Sequence, residues 1–373
     1  MQNATKYKVL VFLAVAVAFT GCRKIFDLPE EVDYLSMKAD YNTKVFNPRL
    51  GRTTITTNAF NPDASSFPMT FTIQNARFGD GRDASDMFAL KPALVWISEY
   101  TGMEKSLAEI ENKRKFENRP MVELRSSGDL VMWHTATRDL IKPSDSVVYP
   151  QDIRYFDVKI ANSGGSRIIK DLQLIPRIDV PYEPSDDYNT INGKPNTTTP
   201  GGKVRVFNYP TINGLKNANT GMPMDDPKSA TKGRVYLYIR KFTNDKDGHR
   251  LRFKFLNKDS LPMNPLVFNE TKWNEQVHGF NEAGTELGYK MTPEYVEYNV
   301  AYPIPVARIP TRFTAGGVTG SGESARVEFV YSRVGFGGVR EFGRISQNFK
   351  IYEKGDWEIV FHFKDVNPKF DND

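Results

Sequence analysis

Between Arg250 and Phe255 the chain alternates: Leu251, Phe253 and Phe255 are apolar, and Arg250, Arg252 and Lys254 are basic. A period of two puts successive side chains on opposite faces of a strand, so this stretch reads as a strand with one buried and one wet face. The same period recurs at Val235, Leu237 and Ile239, at Val327, Phe329 and Tyr331, and at Trp357, Ile359, Phe361 and Phe363. Asn244-Asp-Lys-Asp-Gly248 predicts a hairpin turn between the strands at Val235 and Leu251, because Asp-Gly supplies positive φ. Lys354-Gly-Asp356 likewise predicts a closing hairpin that runs from Phe349 and Ile351 into Trp357. Aromatic residues make up 12% of the chain, which favours pleated surfaces over helices.

The earlier part of the chain carries weaker versions of this pattern. Strands are expected at Arg52–Thr57, Met69–Ile73, Met121–Leu124, Leu130–Thr135, Tyr155–Ile160 and Ile168–Leu174, with hairpin turns at Ser127-Gly-Asp129 and Ser163-Gly-Gly-Ser166. Ala93–Ile97 is a continuous apolar run short enough for a buried strand, and Leu107–Phe116, with a stripe of Leu107, Ile110 and Phe116, is the expected helix. Tyr182–Lys232 changes character, being dense in Pro, Asn, Thr and Gly around the short strand Val204–Phe207. A linker or a functional insertion accounts for such a stretch. The fold class expected is mainly β: two antiparallel β-sandwich domains, at 40–185 and 232–373, separated by 186–231.

Ahead of these lies an export address. Lys6 and Lys8 precede eleven apolar residues, Val9–Phe19, and then Thr20-Gly21-Cys22. That order is a signal peptide, 1–21, and its apolar run is well short of the ~20 residues a membrane-spanning helix requires. Cys22 is the sole cysteine in the chain and sits where a bacterial lipoprotein is cleaved and acylated, so lipidation at Cys22 is expected; the bland alternative is an ordinary secretory signal. Residues 22–39, acidic around Phe26–Asp33 and interrupted by Pro29, read as a tether. Loss of Lys6 and Lys8 with the signal takes the formal charge from +5 to +3, and no dense cluster of Lys and Arg suits nucleic acid.

Motifs that would carry chemistry are sparse. Asn244–Gly248 fails as an EF-hand because Thr243 and Lys254 would hold its first and twelfth positions, so a plain turn is expected. Asp80-Gly-Arg-Asp-Ala-Ser-Asp86 spaces its acids three apart and reads as a solvated loop, with a calcium site as the sharper alternative. His134, His249, His278 and His362 lie at no metal-ligand spacing and read as lone surface or edge histidines, His362 pointing away from Phe361 and Phe363. No Gly-x-Ser-x-Gly elbow occurs, and Gly335-Phe-Gly-Gly338 reads as a bend between strands. No cofactor, metal or catalytic residue is assigned. Trp96, Trp133 and Trp357 lie in apolar patterns and are expected in the core. Trp273 lies among Lys272, Asn274, Glu275 and Gln276, which makes it the candidate for an exposed ring that stacks on a sugar, with Asn274 and Gln276 reaching hydroxyls. The alternative is that Trp273 folds back and plugs the end of the sandwich.

Cys22-Arg-Lys-Ile-Phe-Asp-Leu-Pro-Glu-Glu-Val-Asp-Tyr-Leu-Ser36, Lys44-Val-Phe-Asn-Pro-Arg-Leu-Gly-Arg52 and Gly355-Asp-Trp-Glu-Ile-Val-Phe-His-Phe-Lys-Asp365 resemble a family of Bacteroidota lipoproteins identified as the domain of unknown function 5007. The resemblance implies an outer-membrane lipoprotein encoded beside the paired transporter and binding lipoproteins that import glycans. It carries over no ligand or catalytic residue. Arg23 and Lys24 stand where surface-exported lipoproteins carry acids, so the side of the membrane stays open. The function expected is a lipid-anchored binding protein of the cell envelope, accessory to glycan or nutrient uptake. The alternative is an assembly lipoprotein that contacts an outer-membrane transporter without touching substrate. The partners expected are the membrane, through the lipid on Cys22, a glycan and a transporter complex.

Overall fold

The computed structural model describes residues 33–144, 149–185, 208–224 and 235–373. The signal peptide, Cys22 and most of the tether lie outside the described residues, as does the short strand expected at Val204–Phe207. The long strands and the helix are β1 (Thr70–Phe78), β2 (Leu90–Trp96), α1 (Leu107–Glu111), β3 (Arg114–Pro120), β4 (Arg154–Asn162), β5 (Gly165–Leu174), β6 (Val235–Lys241), β7 (Arg250–Leu256), β8 (Tyr295–Val300), β9 (Ala325–Val334), β10 (Arg340–Ile351) and β11 (Trp357–Phe363). The chain is mainly β, as its alternation predicts.

In the first half, β1, β4 and β5 pair antiparallel, and the short strand Val45–Phe46 adds to β5 in parallel. A second sheet of Thr54–Thr56, Leu130–Met132 and Val122–Leu124 stacks on the first, with the Ser127-Gly-Asp129 turn joining its last two strands. Phe46, Phe156, Val158, Ile160, Leu130 and Met132 fill the space between them. Alternation then decides the next layer. Val131 and Trp133 point to the opposite side from Leu130 and Met132, and there they meet Ala93 and Val95 of β2. The antiparallel ribbon β2–β3 is therefore a third layer, held on by one small apolar cluster.

In the second half, two sheets face each other over an aromatic core. One is built on the β9–β10 hairpin, whose turn is Gly335-Phe-Gly-Gly338. The other runs in the order β6, β11, β7, β8, Gly279–Phe280. Phe253, Phe255 and Phe361 from the second sheet meet Phe329 and Phe349 from the first with ring centroids 4.9–6.2 Å apart. Edge-on ring packing of this kind adds about 0.5–1.5 kcal/mol per pair beyond the area buried.

Both hairpins expected around this core are corrected. β11 inserts between β6 and β7, antiparallel to the first and parallel to the second, so Asn244–Gly248 does not close a hairpin. Lys354–Asp356 likewise carries the chain from one sheet, β10, across to the other, β11. Phe349 and Ile351 face inward from one side and Trp357, Ile359, Phe361 and Phe363 from the other, which satisfies the same alternation as a hairpin would. Asp356, 1% exposed, locks this crossing: its carboxylate accepts from the Thr243 hydroxyl at 2.9 Å and the Arg250 N–H at 3.1 Å and pairs with the Arg250 guanidinium. Burial would raise this carboxyl, and those three donors hold it below the usual carboxylate range. Gly248 passes so close to the Asp356 carboxylate that a Cβ there would collide with it.

Other expectations change in detail. The helix stops at Glu111, five residues short of Phe116, and Arg114–Pro120 is a strand. Ser106 caps the helix by accepting from the Glu109 N–H at 3.2 Å, in a Ser-x-x-Glu start. Only Ile110 is buried on it, too little to hold a longer helix against seven residues of pairing with β2. The described parts of Tyr182–Lys232 pack on the second half. Tyr182–Glu183 and Thr211–Asn213 pair with β10, and Leu215 and Met224 join the core.

The two halves meet through a small core of Tyr100, Ile110, Phe280, Ala301 and Val306. The Arg114 guanidinium donates to the Tyr302 carbonyl across this junction at 2.8 Å.

Candidate functional site

Trp273 is 8% exposed, so of its two readings the ring that folds back into the end of the sandwich holds and the free stacking ring does not. It opens a 3-10 turn, Trp273–Glu275, that aims its indole at Phe329 and Tyr289, with centroids at 5.5 Å and 6.4 Å. The Trp273 carbonyl accepts the Tyr298 hydroxyl at 2.7 Å, which fixes the turn from below. A single tight turn splits its residues between inside and outside, so Lys272, Asn274 and Glu275 take the solvent side and the indole takes the core. Gln276 is buried as well. Its Oε1 accepts the Glu328 N–H at 2.7 Å and its Nε2 donates to the Lys272 carbonyl at 3.1 Å, so the amide clamps this turn to β9. Asn274 alone of the three is exposed.

The tryptophan that reaches solvent is Trp96, 40% exposed, which the apolar run Ala93–Ile97 places in the core when read by composition. Trp133 and Trp357 are buried as expected. In the β2–β3 ribbon, Ala93 and Val95 face inward, so Leu90, Pro92, Leu94 and Trp96 face outward. Register pairs Leu94 with Phe116 and Trp96 with Arg114 on that same outer face, and Phe116 is 67% exposed. Six apolar side chains, Leu90, Pro92, Leu94, Trp96, Phe116 and Pro120, thus share one face of a two-stranded ribbon with Asn118 and, at its buried end, Arg114. Two sequence features mark it in retrospect. Pro92 lies within the run, and proline in a strand signals an edge. Phe116 stands alone among Arg114, Lys115, Glu117, Asn118 and Arg119, a context in which a ring has no core to enter.

This face is braced from behind. The Leu94 N–H donates to His134 Nε2 at 3.0 Å, so His134 is the Nδ1–H tautomer, and burial holds its imidazole below the ordinary value. At the Trp96 end the face itself is flanked by the buried Arg114 guanidinium, 5.4 Å from the Trp96 ring centroid, and by the Tyr100 ring at 5.8 Å. Tyr100 leads into a buried polar node. Its hydroxyl lies 2.7 Å from His278 Nδ1, and His278 Nε2 lies 2.7 Å from the Glu104 carbonyl. A carbonyl can only accept, so Nε2 carries the proton of a neutral His278 and Tyr100 donates to Nδ1. Burial is the main force holding His278 below 6.5, and burial pushes the Tyr100 hydroxyl up, which keeps it a donor. His278 stacks on Phe313 at 4.7 Å and is 6% exposed, which corrects its reading as a surface histidine. His362 does point away from Phe361 and Phe363 but is buried too, beside the Ser260 hydroxyl at 3.3 Å.

Burial would raise the Glu104 carboxyl, but the Lys113 ammonium at 2.5 Å and the Thr101 N–H at 2.9 Å bring it down to about 2. Beside the node a crevice opens, lined by Tyr100, Val277, His278, Ile304, Val306 and Phe313, with a free volume of about 20 Å³. That is room for a water molecule and too small for a sugar ring. A shallower groove between α1 and Ala283–Thr285 has no aromatic residue in its lining.

The Asp80–Asp86 loop turns its acids to separate partners. Asp80 pairs with Arg82 at 2.6 Å, Asp83 accepts from Ser85, and Asp86 pairs with the buried Arg154 at 2.6 Å. Among the described residues no three His, Cys, Asp or Glu side chains group as metal ligands. No helix among the described residues is long and apolar enough to cross a membrane.

Comparison with curated proteins and with solved structures returns no match. A family model matches residues 60–372, spanning both halves and the junction between them, and by that match the chain belongs to the family described as a domain of unknown function, DUF5007.

Proposed function

We propose that this chain is a lipid-anchored docking protein of the cell envelope without catalytic activity, and that the outer face of the β2–β3 ribbon takes a protein partner such as an outer-membrane transporter. The observation that carries the reading is the open apolar face of Leu90, Pro92, Leu94, Trp96, Phe116 and Pro120. Water is displaced from such a face at a gain of about 25 cal/mol per Å² of apolar area, and contiguous faces of this kind mark interaction sites on soluble proteins. The membrane anchor is supported by the Lys6, Lys8, Val9–Phe19, Cys22 order.

A protein partner suits the face better than a glycan does. Sugar sites set an aromatic ring among free hydrogen-bonding groups. Here Trp96 shares its strand face with Leu94, its register partner Arg114 is already bonded to the Tyr302 carbonyl and Glu111, Trp273 is inside, and the Gln276 amide is engaged. A photo-crosslinking residue placed at Phe116 in cells, with Leu266 as an exposed control, tests the reading. A crosslink to one membrane protein from position 116 alone is expected. Phe116→Asp is expected to abolish co-purification of that protein while leaving the melting temperature unchanged. No crosslink at 116, together with wild-type binding on a glycan array that Trp96→Ala removes, would overturn the protein-partner reading in favour of a sugar ligand.

A further inference from the structure

We infer that the end of the first half where the chain enters the fold rests on a lipid surface, a placement that builds on the reading of Cys22 as the acylated residue. Asp33 lies eleven residues beyond Cys22, and a chain of that length reaches at most about 40 Å even fully extended. Whatever surrounds Asp33 is therefore held within that distance of the bilayer.

The entry point is pinned to two neighbouring loops. Asp33 accepts from the Ser163 hydroxyl, the Tyr34 N–H donates to Ser66 Oγ at 3.0 Å, and the Ser66 N–H donates to the Tyr34 carbonyl at 2.8 Å. The Asn162 amide donates to the carbonyls of Tyr34 and Ser66 at 2.9 Å and 3.0 Å. The 33–38 segment, the 62–68 loop and the β4–β5 turn thus form one end of the sandwich. At this end Met37 is 78% exposed, Tyr34 55% and Phe67 54%.

Two rings and a thioether have no core reason to stand in water there. A tyrosine ring settles at the headgroup level with its hydroxyl outward, and beside it Phe67 and Met37 offer purely apolar side chains to the acyl boundary. Lys38 is exposed beside Met37, while Asp33 and Asp63, hydrogen-bonded to the Ser163 and Ser36 hydroxyls, keep their charge. Arg167 reaches the Met37 carbonyl and sits at the same end. Tethering supplies the concentration: a weak contact becomes a persistent one when its surface cannot diffuse away.

The test uses the full chain purified with its own anchor. Mass spectrometry first establishes whether Cys22 is the acylated N-terminus. With that thiol blocked, Met37→Cys and Leu261→Cys each carry one environment-sensitive dye, in vesicles of phosphatidylethanolamine and phosphatidylglycerol containing a headgroup-level quencher lipid. Quenching several-fold stronger at 37 than at 261 is expected, and Tyr34→Ser with Phe67→Ser is expected to weaken it while Cys22 stays acylated. Equal quenching at 37 and 261 on acylated protein would overturn the docking alone. An unacylated Cys22 would overturn the anchor, and the docking with it.

Discussion

Truncating Trp273 to Ala separates a core residue from a ligand-stacking one by magnitude. A buried indole removes roughly 200 Å² from water, which at about 25 cal/mol per Å² sets an upper value near 5 kcal/mol. The surrounding Phe329 and Tyr289 rings sit on opposing elements of the sandwich and cannot both collapse into the gap, so most of that value should be lost. Measured Trp→Ala losses in cores are about 3–5 kcal/mol. For a unit of 150–250 residues, 1 kcal/mol moves the melting temperature by about 2–4 °C, so a fall on the order of 10 °C is expected in the transition that covers the second half. Scanning calorimetry is the suitable assay, because removing an indole changes fluorescence irrespective of stability. Asn274→Ala, one residue along and exposed, should stay within about 0.5 kcal/mol of wild type. A Trp273→Ala protein that melts within about 2 °C of wild type would refute the packing argument.

Two further outcomes follow from buried charge and from burial of imidazole. His134, His278 and His362 are all held below 6.5 by burial, so the unfolded chain takes up protons first as pH falls. The Lys364 charge adds to burial at His362, while at His278 the Glu104 carbonyl opposes it. Stability should therefore be fully present above about pH 6.5 and decline below it, by up to about 1.4 kcal/mol per pH unit for each histidine that stays neutral. Urea midpoints measured from about pH 7.5 to 5 should show this fall, His278→Phe should flatten part of it, and a wild-type profile level across that range would refute it. Arg154 is 1% exposed with Asp86 as its carboxylate partner, so Asp86→Ala leaves a guanidinium buried without its counter-charge and should destabilise the first half by about 3 kcal/mol in urea unfolding. A loss below about 1 kcal/mol would mean that the Lys142 and Asp152 carbonyls suffice for Arg154.

Which side of each strand is buried could be read from the sequence wherever alternation is strong. Leu251, Phe253, Phe255, Phe329, Phe361 and Phe363 are all core residues, as their period of two requires, because pleat geometry alone assigns alternate side chains to one face. The turns at Ser127–Asp129 and Ser163–Ser166 were legible for a similar reason: their backbone conformations are local. Neighbour relations were not. Alternation says that Trp357 and Ile359 face a core, but hairpin and sheet-crossing arrangements satisfy it equally, and only the packing of the two sheets places β11 between β6 and β7.

The candidate site shows the same division. The polar neighbours of Trp273 did report a surface segment, since Lys272, Asn274 and Glu275 are exposed, but they could not report that a tight turn sends the indole the other way. The apolar neighbours of Trp96 reported a buried strand, and Ala93 and Val95 are indeed buried. Whether the other face of that strand is covered depends on how many layers stack above it, which is a property of the whole assembly of sheets. Among the described residues the ribbon is the last layer, so Leu90, Trp96 and Phe116 are left exposed. Local chemistry determines which face of an element is apolar; the count and order of layers, which no single stretch encodes, decide whether that face ends in a core or at a surface.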